Sequence, residues 1–189
     1  MTKAKLSELA TIQTGYSFRS RIEHDPEGTY RVIQTSDFDE GGQLNLKANL
    51  RIGNVQPKPH HLVEEGSVLF TVRGTNNRAY HIDQPLENTI ASSLFFILQC
   101  KDRRVLPAFL AWYLNQRPAR AYFEAFRRGS FVPAVNKDVL GALTVPVPPL
   151  AQQKRMVAVS QLRDREEQLA RAIIEKRRLL IDTLLLESL

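Results

Sequence analysis

Residues 144–162, TVPVPPLAQQKRMVAVSQL, join a short β-branched run to a proline turn and then open a segment with no further proline or glycine. Proline fixes φ and has no N–H, so the prolines deny this run a ladder partner and fix the direction in which the chain leaves the sheet. Beyond it, Leu162, Leu169, Ile173, Leu180 and Leu184 follow one another at intervals of seven or four, flanked by Ile174, Ile181 and Leu185. That spacing makes a broad apolar stripe on one helix. At 1.5 Å per residue the helix is roughly 55 Å long, more than one small domain can cover. The i, i+4 pairs Arg163 with Glu167, Glu167 with Arg171, and Arg171 with Glu175 keep another face in water, each contributing about 0.2–0.5 kcal/mol. Helices draw most of their stability from packing, so the stripe calls for a partner: a second copy or a helix of another subunit, rather than the chain's own domain. The chain therefore divides into a folded domain over 1–148 and a partner-binding helix over 149–189.

Before the prolines the pattern is β-rich. AKLSELATIQTGYSF reads as a short helix with Leu6 and Leu9 inward, a strand TIQ and a turn at Gly15, where positive φ costs little. Strands are expected at YRVIQ, NLRI, SVLFTVR, AYHID and TIASSLFFILQC, separated by clusters of Gly, Asn, Asp and Pro. From Leu106 the period changes, and LPAFLAWYLNQRPARAYFEAFRRG reads as one helix or two broken near Pro118, with a loop from Gly129 to the strand LTVPV. The fold class expected is α+β: a mixed, β-rich domain followed by a long coiled-coil-type helix.

A chain of 189 residues with 43% hydrophobic content buries a real core. Its single Cys100 forms no internal disulfide, and with neither a signal region nor a long uncharged apolar run a cytoplasmic setting without membrane contact is expected. The 26 Lys and Arg exceed the 20 Asp and Glu by 6, which favours a polyanionic partner.

Catalytic signatures are weak. There is no phosphate-cradling glycine loop, and GGQLN lacks the spacing and following helix of a dinucleotide fingerprint. His60 and His61 are adjacent in a proline-flanked loop and do not readily converge on one metal, and Cys100 has no nearby ligating companion. Asp37, Asp39 and Glu40 in SDFDE bear on Mg²⁺ chemistry of a nuclease, against the simpler reading of turn residues beside two glycines. No metal and no cofactor are expected. The loops are more informative: FTVRGTNNRAY puts Arg73, Asn76, Asn77 and Arg78 around a glycine, side-chain types that bond bidentately to guanine or adenine edges. GYSFRSR adds Arg19 and Arg21 beside two aromatics, and RRGSFVP adds Arg127, Arg128, Ser130 and Phe131, groups suited to phosphate contacts. These clusters act together only if they share one face.

The order LSELATIQTGYSFRS, VIQTSDF, GSVLFTVRGT, LPAFLAWYLN, RRGSFVPAVNKDVLGALTVPVPPLAQQKRMV and a long terminal helix resembles one half of the specificity subunit of type I restriction-modification systems. The resemblance implies a target-recognition domain and a spacer helix without a catalytic centre. It also implies three partners: double-stranded DNA, an adenine-N6 DNA methyltransferase subunit and, through it, a restriction and translocase subunit. Family members carry two recognition domains and two spacer helices, whereas one of each is present in this sequence. Pairing of two copies through 150–187 would recover the arrangement and read inverted half-sites of one bipartite target. The rival readings are a stand-alone dimeric DNA-binding regulator and a Mg²⁺-dependent nuclease centred on Asp37, Asp39 and Glu40.

Overall fold

The computed structural model describes residues 2–39, 41–46, 50–73, 77–127 and 134–187. The chain runs β1 (Thr2–Lys5), α1 (Leu6–Leu9), β2 (Ala10–Thr14), β3 (Tyr30–Ile33), β4 (Arg51–Ile52), β5 (Val68–Thr71), β6 (Ala79–His81), β7 (Thr89–Ala91) and β8 (Phe95–Cys100). It continues through α2 (Pro107–Leu114), α3 (Arg117–Arg127), α4 (Lys137–Ala142), β9 (Thr144–Val147) and α5 (Leu150–Glu187), an α+β architecture.

The centre is a four-stranded antiparallel sheet in the order β2-β8-β5-β6. Side chains alternate across a strand, so Val68, Phe70, Phe96 and Leu98 face the layer formed by α1 to α4, where they meet Phe109, Leu110, Leu114, Phe123 and Leu140. Leu69, Tyr80, Phe95 and Ile97 face the other way and pack with Ile33, Val63 and Ala91. Covered on both faces, β5 and β8 are continuous apolar runs, the pattern of an interior strand. The second layer is a three-stranded sheet in the order β4-β3-β7, with β3 antiparallel to β4 and parallel to β7. A separate β1-β9 ladder closes the domain.

Several expectations change. TIASSLFFILQC is two strands in different sheets, because the turn at Ser92–Leu94 hands the chain from β7 to β8. The helical stretch after Leu106 is, of the two alternatives, the pair of helices, parting at Asn115 and Gln116 close to Pro118, which stands in the first turn of α3. The stretch taken as a loop after Gly129 contains α4, whose N-cap Asn136 accepts from Val139 N–H at 2.8 Å. The run TVPV does have a ladder partner: β9 pairs with β1, Pro146 opposite Lys3, and Pro146 is tolerated because β9 has no neighbour on its other side. β1 itself carries no apolar alternation and was not foreseen.

One side chain finishes the sheet. β6 is an edge strand, and Asn115 at the end of α2 supplies what a neighbouring strand would: its Oδ1 accepts from Ala79 N–H at 3.0 Å and its Nδ2 donates to Ala79 C=O at 2.7 Å. The same Nδ2 also donates to Ala111 C=O. Asn115→Ala is expected to destabilise the domain by about 1–3 kcal/mol, since both backbone groups of Ala79 lose their partner. A urea midpoint lowered with unchanged slope is the measurement that checks it.

Candidate nucleic-acid interface

Because the central strands are antiparallel, alternate connections leave from the same end of the sheet. Thr14 of β2 pairs with Phe96, Thr71 of β5 pairs with Phe95, and β6 begins at Ala79 opposite Phe70. The segment after β2, the β5–β6 connection and the β7–β8 turn therefore emerge together. Backbone hydrogen bonds stitch them: Gly15 N–H to Phe95 C=O at 3.0 Å, Tyr16 N–H to Ala91 C=O at 2.7 Å, Ser93 N–H to Tyr16 C=O at 2.9 Å, and Val72 N–H to Leu94 C=O at 2.8 Å. Val135 N–H donates to Val72 C=O at 3.1 Å, and Ala134 forms a bridge with Arg73. Ala134 and Val135 are thus tied to the same end as Arg73.

Gly15 is required by this close approach. A Cβ at that position would run into the carbonyl oxygens of Ser92 and Ala91.

The candidate contact residues separate into distinct situations. Arg73 is exposed on the β5–β6 connection, and Arg19 and Arg21 are exposed on the segment that follows Tyr16. Arg78 is half-buried, with its guanidinium at the Tyr80 hydroxyl, where it opposes the burial that raises the Tyr80 pKa. Asn77 is corrected: it is only 4% exposed, and its Nδ2 donates to Thr71 C=O at 2.6 Å. It holds the turn that Thr71 and Arg78 close, through Arg78 N–H to Thr71 Oγ1 at 2.7 Å and Thr71 N–H to Arg78 C=O at 2.9 Å, and its Oδ1 is buried. Arg127 is the last residue of α3, while Asn76, Arg128, Ser130 and Phe131 lie outside the described residues.

Two neighbours escaped the sequence reading. Leu94 is 39% exposed at the tip of the β7–β8 turn, between the loops of Tyr16 and Val72, and was hidden inside what read as one long strand. His61 packs edge-on against Tyr16, ring centroids 5.3 Å apart, and Tyr16 in turn packs edge-on against Phe18 at 4.9 Å. His61 Nδ1 accepts from Lys58 N–H, and burial, with His60 and Lys58 nearby, lowers its pKa, so at neutral pH the ring is an uncharged packing group.

The acidic cluster serves backbone turns. Asp37 is buried and accepts from Gln34 N–H at 2.8 Å, burial raising its pKa, and Asp39 accepts from Gln43 N–H at 2.8 Å; Glu40 lies outside the described residues. No group of three or more His, Cys, Asp and Glu is placed to hold a metal ion among the described residues. An open cleft of about 460 Å³ lined by Lys5, Lys101 and Lys137 sits at the opposite end of the sheet, beside Ala10 and Thr11.

On α5 the stripe lies open. Leu162, Leu169, Ile173, Leu180 and Leu184 are 49% to 71% exposed, and no described helix is long and apolar enough to cross a membrane. Arg163 bonds Asp164 at 2.7 Å and approaches Glu167 at 3.9 Å on the solvated side.

The family described as type I restriction modification DNA specificity domain matches residues 1–176. The chain belongs to that family. It is 28% identical over 139 residues to the type I restriction enzyme HindI specificity subunit of Haemophilus influenzae, covering 69% of this chain and 30% of that protein. Among solved structures, a chain of a type I R-M system aligns with TM-score 0.66 at 21% identity, covering 93% of this chain and 41% of the other. The HsdS subunit of Thermoanaerobacter tengcongensis aligns with TM-score 0.61 at 23% identity over 90% of this chain and 39% of its own. These two establish a shared fold. The chain spans less than half the length of each of these relatives.

Gly15→Ala is expected to cost this specificity domain about 1–3 kcal/mol, the usual penalty for a group inserted where backbone cannot retreat. A lowered thermal midpoint is the expected result; an unchanged midpoint would show that the strand ends are not held as tightly as described.

Proposed function

We propose that this chain is a sequence-specific DNA-recognition component of a type I restriction-modification complex. In that role it is non-catalytic and works without a cofactor of its own, directing a DNA methyltransferase subunit, and through it a restriction and translocase subunit, to a bipartite site in the cytoplasm. The observation that carries the reading is the convergence of the Arg73, Tyr16 and Leu94 loops on one end of a domain of the specificity family. Residues 1–148 are the recognition unit and 149–189 the spacer and partner helix.

Two layers of contact follow. Exposed Arg19 and Arg21, with Arg127 at the end of α3 and Arg128 after it in sequence, neutralise phosphates and give affinity that falls with salt. Arg73, Arg78 and Asn76 approach base edges, with Ser130 and Phe131 as further contacts, while Asn77 holds the loop from behind. Arg73→Ala is expected to cost about 1–3 kcal/mol on the cognate duplex and little on random duplex. The cognate site comes from methylation mapping in cells that carry the intact system, and fluorescence anisotropy on both duplexes at fixed salt reads the difference. Equal loss on both would make Arg73 a backbone contact.

The open stripe on α5 supports pairing of two copies, Leu162, Leu169, Ile173, Leu180 and Leu184 forming the seam, so that two domains read inverted half-sites. Leu169→Glu with Ile173→Glu is expected to convert a dimer to a monomer by light scattering at micromolar concentration. A wild-type chain that is already monomeric under those conditions would refute the pairing. Recovery of a methyltransferase subunit with the wild-type chain from its native cytosol separates this reading from that of a regulator acting alone.

A further inference from the structure

The helix that carries the stripe has one fully buried side chain at its base, and that side chain is polar. Gln153 is fully buried, the only residue of α5 that is, and every hydrogen-bonding group of its amide is used. Its Oε1 accepts from Leu106 N–H at 2.9 Å, and its Nε2 donates to Arg104 C=O and to Pro148 C=O, both at 2.7 Å. Both N–H donors of the amide and its oxygen are thus engaged, three of the four hydrogen bonds a Gln side chain can make. The three partners lie on two separate segments: residues 104–106, which lead from β8 into α2, and the proline turn that ends β9. One amide thus ties the first turn of α5 to both. Met156 and Val157, one turn further on, are half-buried against the core around Phe109, and from there the side chains of the helix are largely exposed. A second approach occurs at Gln168, whose amide lies against Gly41.

We propose that Gln153 is the positioning residue that sets the direction of α5 relative to the recognition domain, and through it the separation of the two half-sites. The second clause rests on the dimeric reading above; the first does not. Geometry makes the direction matter. The helix beyond Gln153 runs roughly 50 Å, so a tilt of about 10° at its base displaces the far end by roughly 9 Å, the rise of between two and three base pairs. Apolar contacts at Met156 and Val157 resist separation but are non-directional, and hydrogen bonds to fixed carbonyls and an N–H are directional. Orientation is therefore assigned to the amide.

The test is a pulsed electron-paramagnetic-resonance distance between nitroxides at Arg120→Cys on α3 and Lys176→Cys on α5, in a Cys100→Ser background, with labelled chain diluted in excess unlabelled chain. Gln153→Met keeps the volume and removes all three hydrogen bonds. The expected result is a narrow distance distribution in the parent that broadens and shifts in Gln153→Met, while the cooperative unfolding of the domain, followed by Trp112 fluorescence, is retained. An unchanged distribution in Gln153→Met overturns the proposal. So does broadening in Gln168→Ala with none in Gln153→Met, which would place the joint at Gly41. If Gln153→Met does not fold, Gln153→Ala, which removes the same three hydrogen bonds without crowding the site, is read in the same way. The measurement needs neither DNA nor a methyltransferase, so the joint and the functional reading can fail separately. Where the parent selects one half-site spacing, duplexes of graded spacer length should show that selectivity flattened in Gln153→Met with affinity for a single half-site unchanged.

Discussion

Burial of β5 and β8 on both faces is the constraint from which the rest of the domain follows. Phe70, Phe95, Leu69, Ile97 and Leu98 are at most 1% exposed, and complete burial of side chains of this size stabilises by about 1.5–3 kcal/mol each. A sheet of that kind has room for few polar side chains along its strands. Helices must cover one face, the β3-β7 layer the other, and the polar residues of these segments are displaced past the strand ends. Arg73 and Arg78 stand just beyond Thr71 and just before Ala79 for that reason. The antiparallel order then places their loop on the same side as the exit of β2.

The same constraint explains what could be read from residues alone. The apolar runs of β5 and β8, the paired leucines of α1, and the period of α5 announce themselves because burial dictates them. β1 does not: TKAK has no alternation and exists as a strand because β9 lies beside it. The division of TIASSLFFILQC was hidden because Thr89–Ala91 and Phe95–Cys100 are both apolar, and only their different sheets distinguish them. The cap at Asn136 was present in the sequence as an Asn ahead of Val139 and Leu140, a local signal overlooked beside the glycine and proline around it. For the site, exposure decided. Arg19, Arg21 and Arg73 stand in solvent as their type suggests, whereas Asn77 is drawn inward because Thr71 C=O needs a donor at the end of the sheet.

Apolar burial and charge have different parts on α5. The i, i+4 pairs foreseen on its solvated side amount together to little more than about 1 kcal/mol, and exposed ion pairs such as Arg163–Glu167 are weaker still in salt. Burying Leu162, Leu169 and Ile173 together in a partner helix would contribute more than all of those pairs. In the proposed pairing the stripe would therefore supply the larger part of the stability, and the charges beside it would bear on which alignment is chosen.

Gln153 and the loops of Tyr16, Val72 and Leu94 lie at different ends of the central sheet. Arg104 and Leu106 follow the C-terminal end of β8, beside which Lys101 N–H donates to Leu9 C=O; the loops of Tyr16, Val72 and Leu94 gather at its N-terminal end. Between them stand six residues of β8 with its neighbours packed on both faces. A close-packed interior resists deformation, so it holds the two ends in a fixed relation without making either depend on the side chains of the other. Substitutions in the loops can therefore change the surface at one end while the three bonds of Gln153 stay as they are. On the functional reading proposed above, the converse also follows: a change at the joint would redirect the helix and leave the loops as they are, so that target sequence and half-site spacing would vary as separate properties of one small domain.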